Sequence, residues 1–367
     1  MKKHFNISLL FLFVAFMVNG QLRLERDFKK TFAVPENGKV EVVSKYGEII
    51  VRTWNEDSVK FEAVVKAEGK SNAVTKSLEK VNIKFRKVGS VISAITEVDS
   101  GKGFLSGVLS DVGDAIGSNN LKVDYEIWLP EDVILSVENK YGDVYLADLS
   151  GKIDLNVSHG DIKANNFSET INLKHSYGKS SFGKINSAVV SLRAAELKMD
   201  EANSLNFESG SSEIRIEKVG RAQFNSRNDK IFLYDVNEVM CEGSFTDLTA
   251  DVIRGSARLD FSYGDIYLNR IVKDFKNIDI TGKSTDINLI LNQSSYIKTF
   301  IKGAEDRMIL PNSMLLMQKE VLDAEGGISL SGFVGNANSR HSQLQIEAEG
   351  GEIIVAIKDT PIFVDKN

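Results

Sequence analysis

Acidic side chains recur at a regular interval through the middle of the chain, and such a row could bind calcium or a polycation, or supply an acid–base pair. Its positions are Asp143, Asp161, Lys179, Glu196, Glu213, Lys230, Asp247, Asp265 and Asp286. Calcium needs several oxygen ligands from one loop, and the Gly-Gly-x-Gly-x-Asp repeat of calcium β-rolls is absent. The acids come singly, with no distinct catalytic pair, and two lysines interrupt them. We therefore predict a solvated row with partial charge relief.

The histidines and the cysteine are no stronger candidates for a functional site than the acidic row. His159 and His175 stand where the repeat elsewhere has aromatic or aliphatic residues, so both are predicted members of stacked columns. Cys241, the single cysteine, lies in an apolar column and is predicted to be a buried, inert thiol. Gly282 to Thr285 resembles the end of a phosphate-binding loop, but Asn277 replaces its first glycine. The sequence predicts no catalytic residue, no bound metal and no cofactor.

The acids are spaced by a repeat. Each follows a corner residue that is often glycine, and the corners are spaced by 17 or 18 residues, with a last interval of 21. The corners are Gly142, Gly160, Gly178, Ala195, Ser212, Asp229, Thr246, Gly264 and Thr285. An internal repeat of this length indicates a solenoid, since a propeller blade needs roughly 40 residues.

Apolar residues occupy the same four positions of each repeat, seven and five before the corner and two and four after it. In the first repeat these are Leu135, Val137, Val144 and Leu146. Polar residues alternate with them, which is typical of half-buried strands. A unit this short must stack on its neighbours to bury its apolar face. We predict an all-β fold, a parallel β-solenoid with coils of about 17–18 residues, each made of strand, corner, strand and loop.

The repeat positions recur outside the block of consecutive repeats. The segments "VPENGKVEVVSKYGEIIV" and "LPEDVILSVENKYGDVYL" share their Pro-to-Tyr spacing, and "LQIEAEGGEIIVAI" fits the same positions near the end. We predict a signal peptide (1–20), a first coil with an inserted β-rich cap (21–130), the solenoid repeats (131–292), and a C-terminal β cap with a closing coil (293–367). The two departures from the repeat are expected to cover open sheet edges.

Three motifs of the chain resemble, in their order and spacing, those of a known protein family. The chain reads "KYGEIIV" (Lys45 to Val51), "VDYEIWLPEDVILSVENKYGDVYL" (Val123 to Leu146) and "SHGDI" (Ser158 to Ile162). In order and spacing they are similar to a family of exported bacterial proteins named putative adhesins, β-solenoids related to the adhesin head of auto-transporters. The resemblance implies a binding protein and brings no catalytic residues with it.

The composition limits which classes of function are expected. The chain has 367 residues, is 42% hydrophobic and carries a net charge of −6, so no basic surface for nucleic acid is expected. Lys2 and Lys3, a short apolar stretch and small residues before Gln21 are typical of a secretory signal peptide. We predict an exported protein, periplasmic or at the cell surface, with no membrane span after cleavage.

Two hypotheses follow. The first is a non-enzymatic, adhesin-like binding or scaffold protein whose solenoid wall faces an envelope protein or polysaccharide. Its candidate ligand face is the position three after each corner, which holds Tyr145, Lys163, Lys198, Arg215, Phe232 and Tyr267. The second is a carbohydrate-active solenoid enzyme, a lyase or hydrolase, which would need a cleft with clustered carboxylates and a base. The regular row of acids favours the first.

Overall fold

The computed structural model describes residues 15–18, 21–69, 71–98, 120–335 and 341–358. The chain is all-β, and most of its strands pair in parallel. It divides into two compact units, residues 1–180 and 181–367. None of the described helices has the length and apolar character of a membrane-spanning helix. The predicted signal peptide lies outside the described residues except for positions 15–18, and the predicted segment boundaries stay predictions.

Among its described residues, the first unit has thirteen complete strands and one helix. They are β1 (Ala15–Val18), β2 (Gln21–Ala33), β3 (Lys39–Lys45), β4 (Ile49–Thr53), β5 (Ser58–Gly69), α1 (Ser71–Glu79), β6 (Val81–Val88), β7 (Val91–Val98), β8 (Asn120–Leu129), β9 (Ile134–Lys140), β10 (Val144–Leu146), β11 (Ile153–Ser158), β12 (Ile162–Ala164) and β13 (Phe167–Ser176). A further strand, β14 (Lys179–Arg193), begins at the end of this unit.

Parallel strands stack layer on layer in the first unit. Strands β3, β9, β11 and β13 form one side, and Leu135 pairs with Val40 on one neighbour and with Ile153 on the other. Strands β4, β10 and β12 form the second side, where Val144 lies between Ile49 and Ile162. The predicted equivalence of the two Pro-to-Tyr segments is therefore confirmed.

The inserted segment pairs with the first layer. Strand β7 runs parallel to β3, and β8 runs parallel to β4, so both strands of that layer have a partner on their outer edge. Strand β5 lies antiparallel between β2 and β8, and β6 forms an antiparallel hairpin with β7. A paired edge offers no template to another chain.

The second unit is built from longer strands. They are β15 (Glu196–Gly210), β16 (Glu213–Arg227), β17 (Lys230–Ser244), β18 (Asp247–Ile271), β19 (Asn277–Asn292), β20 (Tyr296–Ala304), β21 (Met308–Ile309), β22 (Gln318–Val321), β23 (Gly327–Gly335), β24 (His341–Glu349) and β25 (Ile353–Lys358), with a 3-10 turn at Glu305–Arg307 and a short helix, α2, at Asn312–Leu315.

Strands β15 to β19 pair in parallel in sequence order, and β19 then pairs with β24 and β25. The closing segment takes its predicted positions, with Leu344 opposite Ile278 and Ile353 opposite Ile287. One prediction is wrong here. Strands β15 to β17 run unbroken from one corner to the next, without the loop expected between units.

The four predicted apolar columns are buried, and the structure adds a fifth. The residue seven after the corner also faces inward, as Ala202, Val219, Val236 and Ile253 do in the second unit. This column is not visible in the sequence pattern because the alternation of inward and outward residues is interrupted within each long strand. In β16, for example, two consecutive exposed residues precede the buried residue of the fifth column. Strict alternation then fails at that point.

The bend lies one residue before the predicted corner. Residues at the position preceding it adopt left-handed backbone angles, with φ of 67° at Tyr46, 62° at Tyr141, 54° at His159 and 57° at Tyr177. This conformation costs each non-glycine residue roughly 1–2 kcal/mol. The glycines of the first unit serve a different need, because a Cβ at Gly142 would lie 1.8 Å from the carbonyl oxygen of Gly47.

Candidate functional site

The bend residues of the first unit form a ladder of aromatic rings. Tyr46, Tyr141, His159 and Tyr177 stack in that order, with ring centroids 5.4, 4.9 and 4.7 Å apart and interplanar angles of 20° or less. The ammonium groups of Lys45 and Lys140 lie 5.0 Å from the Tyr46 and Tyr141 ring centroids. The stacking stabilises these left-handed residues and covers the faces of the inner rings.

In the first unit the aspartates of the acidic row bind backbone amides rather than one another. The Asp161 amide donates to Asp143 Oδ1 at 2.8 Å, and the Lys179 amide donates to Asp161 Oδ1 at 2.8 Å. Each carboxylate thus receives a charge-assisted hydrogen bond from the next layer, which is stronger than a bond between neutral groups. This bonding gives the acidic row a structural role at the bends.

A buried carboxylate network occupies part of the corner column in the second unit, where Ser212, Asp229 and Thr246 stand in place of glycine. Asp229 stands at a corner position and is 2% exposed. Its Oδ2 accepts hydrogen bonds from the hydroxyls of Ser209 (2.7 Å) and Ser226 (2.6 Å), and its Oδ1 accepts one from the Ser212 amide (2.7 Å). Three donors compensate the burial of the charge. The corner position of Asp229 predicted a turn residue and no buried network; the small polar residues that replace glycine in this column are the sequence signal for it.

Asp247, Asp265 and Asp286 occupy the same register position of the second unit without a lysine among them. Burial, followed by repulsion from Asp247 and then Asp286, raises the pKa of the Asp265 carboxyl. The pKa of the neighbouring Tyr267 hydroxyl is raised as well, chiefly by Asp265. Repulsion between the carboxylates of this part of the row is therefore one cause of the raised Asp265 pKa.

Asp265→Asn is expected to raise the free energy of unfolding at neutral pH by up to about 1 kcal/mol, the scale of exposed charge interactions. A folded-state pKa above the unfolded value means that stability falls as pH rises from the ordinary aspartate value through the raised one. The gain should therefore vanish below the ordinary aspartate pKa. Urea unfolding across this pH range measures it, with Asp200→Asn as an exposed control. An equal gain at low pH would contradict the assigned cause.

Five of the six candidate ligand-face residues lie in two patches, one in each unit. In the first unit Tyr145 lies opposite Lys163 on neighbouring strands. In the second unit Arg215 lies between Lys198 and Phe232 in register, and we call these three residues the wall patch. Tyr267, also in the second unit, lies opposite Asn288. All of these residues are half-buried or exposed. Their role in binding stays a prediction.

Charge on the wall patch is locally paired. The guanidinium carbon of Arg215 lies 4.1 Å from the Phe232 ring centroid, and its Nε is 2.7 Å from Glu213 Oε1. Burial lowers the pKa of Arg215, but hydrogen bonds to Glu213 and Tyr234 outweigh it and leave this pKa raised. Lys198 Nζ is 3.2 Å from Glu196 Oε1. The patch thus combines a flat aromatic–guanidinium surface with fixed charges of both signs.

The histidines occupy stacked positions. His175 is buried, with its Nε2 2.9 Å from the Gly160 carbonyl oxygen, and burial lowers its pKa. His341 meets the Phe333 ring edge-on at 6.2 Å. Within the described part of the chain, no three His, Cys, Asp or Glu side chains are grouped to hold a metal ion.

Cys241 is expected to react slowly with a thiol reagent in the native protein. The prediction of burial is confirmed, since the side chain is 2% exposed and stands in register between Phe224 and Leu259. Burial raises the pKa of its thiol, which removes the reactive thiolate. Labelling followed by mass spectrometry should show modification only after denaturant is added, and rapid native labelling would contradict this environment.

No family model matches the chain, and neither does any curated protein. Solved structures do. One described as a putative adhesin from Bacteroides fragilis is 13% identical, with 72% of this chain and 97% of that chain covered and a TM-score of 0.31. One described as a putative cell adhesion protein from Clostridium sporogenes is 13% identical, with 90% and 100% covered and a TM-score of 0.17.

A third solved structure, described as a putative lipid binding protein from Parabacteroides distasonis, is 10% identical, with 90% and 96% covered and a TM-score of 0.31. Proteins described as putative adhesins, the family that the sequence motifs resemble, are thus among the structural neighbours. At these TM-scores the likeness carries no further argument, so function has to be argued from the chain's own residues.

Proposed function

We propose that the protein is a non-enzymatic, adhesin-like binding protein that presents one wall of its stacked β layers to a ligand outside the cytoplasm. In each unit the layers would form the coils of a parallel β-solenoid, with coils of about 17–18 residues. The inserted strands and the C-terminal strands would cover its ends. Residues 1–20 would direct export to the periplasm or cell surface, and the ligand would be an envelope protein or polysaccharide.

The wall patch is the observation that carries this proposal. Lys198, Arg215 and Phe232 project from three consecutive strands at one register position, so their side chains follow one another at roughly 4.8 Å. Arginine and aromatic side chains are enriched at binding surfaces. The Arg215–Phe232 contact holds both groups in place, which lowers the entropy lost when a ligand binds.

Capture from a fractionated envelope extract tests the proposal. The full chain is immobilised, and the retained polysaccharide and protein are quantified for wild type and for Arg215→Ala/Phe232→Ala. The matched control is Arg221→Ala/Phe245→Ala, which removes an exposed arginine and an exposed phenylalanine that lie off the wall patch.

Loss of capture by about tenfold in the wall variant, with the control unchanged, is the expected result. Equal capture by both variants would contradict the wall as the binding face. Release of new reducing ends or unsaturated sugars from polysaccharide by the wild type would overturn the non-enzymatic function in favour of a lyase or hydrolase.

A further inference from the structure

A separate cleft opens in the second unit, away from the wall patch. It has a volume of about 480 Å³, within the range of small-molecule sites, roughly 300–1,000 Å³. Its lining comes from strands β20, β22, β23 and β24, and none of the candidate ligand-face residues takes part. The lining residues are Lys298, Thr299, Phe300, Gln318, Ser331, Gly332, Phe333, Gln343, Leu344 and Gln345.

The floor of the cleft consists of two rows of side chains on one sheet face. Phe300 lies between Ser331 and Gln345 in register, and Gln318 continues this row on the outermost strand. In the second row Lys298 lies between Phe333 and Gln343. The rows are two residues apart along each strand, so their side chains point to the same face.

Three polar side chains of the cleft, Gln318, Gln343 and Lys298, have no side-chain partner among the described residues, whereas Gln345 donates to Glu347 Oε1 at 3.0 Å. The side-chain amides of Gln318 and Gln343 make no hydrogen bond to another described residue, and each can both donate and accept. Lys298 is the one charged residue of the lining and forms no ion pair within the described chain. Lys302, on the same strand, is by contrast paired with Glu347 at 3.6 Å.

An aromatic platform stands beside these groups. The Phe333 side chain is 53% exposed, and its ring stacks on Tyr296 at 5.2 Å with an interplanar angle of 18°. His341 meets the same ring edge-on. These contacts hold the ring against the sheet while leaving about half of the side chain open to solvent.

We propose that this cleft binds an oligosaccharide that carries a carboxylate. The C–H face of a sugar ring would lie on Phe333, its hydroxyls would bind the amides of Gln318 and Gln343, and its carboxylate would pair with Lys298. Sugars match this lining because they present an apolar face beside donors and acceptors, and no carboxylate in the lining repels an acid. The inference does not depend on the wall patch.

A peptide added as an extra strand fits the cleft less well. Strand addition needs a free backbone edge; along the cleft β20 and β24 are paired on both sides, and β23 is paired on both sides over residues 328–331. Strand β23 lies between β22 and β20, β20 lies between β23 and β24, and β24 lies between β20 and β19. Where β20 and β24 form its floor, the cleft therefore offers side-chain groups, not open amides and carbonyls, to its ligand.

Calorimetric titration with defined oligosaccharides tests the proposal. The full chain is titrated with di- to tetrasaccharides containing uronate or sialate residues, each compared with its uncharged methyl ester. Binding of at least one acidic member is expected, with the ester weaker. Phe333→Ala should weaken binding of the acid about tenfold, which corresponds to about 1.4 kcal/mol. Lys298→Gln should abolish the preference for acid over ester while retaining binding of the ester.

Two control variants distinguish an effect on this cleft from an effect on folding and from an effect on the wall patch. Phe245→Ala removes a phenylalanine that is 54% exposed, nearly the same as Phe333, and should leave the affinity unchanged. Phe232→Ala should also leave it unchanged, even if it abolishes capture of the envelope ligand. Absence of binding by every acidic member at millimolar concentration, equal affinity of Phe333→Ala, or an acid preference kept by Lys298→Gln would overturn the proposal.

Discussion

A Gly142→Ala variant is expected to lose at least about 3 kcal/mol of unfolding free energy, at the upper end of the cost of overpacking. The added Cβ would lie 1.8 Å from the carbonyl oxygen of Gly47 and 2.5 Å from its carbonyl carbon. The Gly47 oxygen also accepts a hydrogen bond from the buried side chain of Asn139 at 2.9 Å, so it cannot move aside without losing a partner. Urea unfolding followed by circular dichroism measures the loss.

Gly89→Ala is the matched control. Gly89 has a left-handed φ of 60°, but a Cβ built there meets nothing within 4 Å. Its replacement should cost only the backbone strain, roughly 1–2 kcal/mol. If Gly142→Ala cost no more than Gly89→Ala, the layers of the first unit would not approach each other through the glycine column.

A Phe224→Ala variant is expected to lose roughly 3–5 kcal/mol of unfolding free energy, as phenylalanine-to-alanine changes in cores do. Phe224 is 2% exposed and stacks on Phe207, itself 1% exposed, with ring centroids 4.8 Å apart and an interplanar angle of 12°. Truncation would leave a cavity between two strands that are paired along their whole length and cannot close around it. Chemical denaturation with a fitted m-value measures the effect.

Phe245→Ala tests whether burial or ring stacking is responsible. Phe245 stacks on Tyr263 in nearly the same geometry, at 4.9 Å and 8°, but is 54% exposed. It should lose only the aromatic-pair contribution, about 0.5–1.5 kcal/mol. A loss below 1 kcal/mol in Phe224→Ala, or equal losses in the two variants, would mean that the inward column contributes little to stability.

The sequence pattern does not predict contacts between segments that are distant in sequence and unrelated by the repeat. Gln343 and Gln345 alternate with apolar residues in "SQLQIE", so exposed positions on that strand could be inferred, whereas "IKTFIK" does not alternate in this way. Nothing local shows that β20 and β24 are neighbours, or that β23 places Phe333 beside Lys298. The cleft was missed for that reason. The wall patch was inferred because its members are related by the repeat itself.

The repeat, the four inward columns, the register of the first and closing segments, and the burial of Cys241 could all be predicted from the sequence. This was possible because stacked layers pair residues at equivalent repeat positions, so one period reports both secondary and tertiary contacts. The packing of the layers was needed to show that the bend precedes the glycine, that a fifth column faces inward, and that Asp229 is buried among serine hydroxyls. These features depend on how closely one layer approaches the next, and the identity of a residue does not encode that distance.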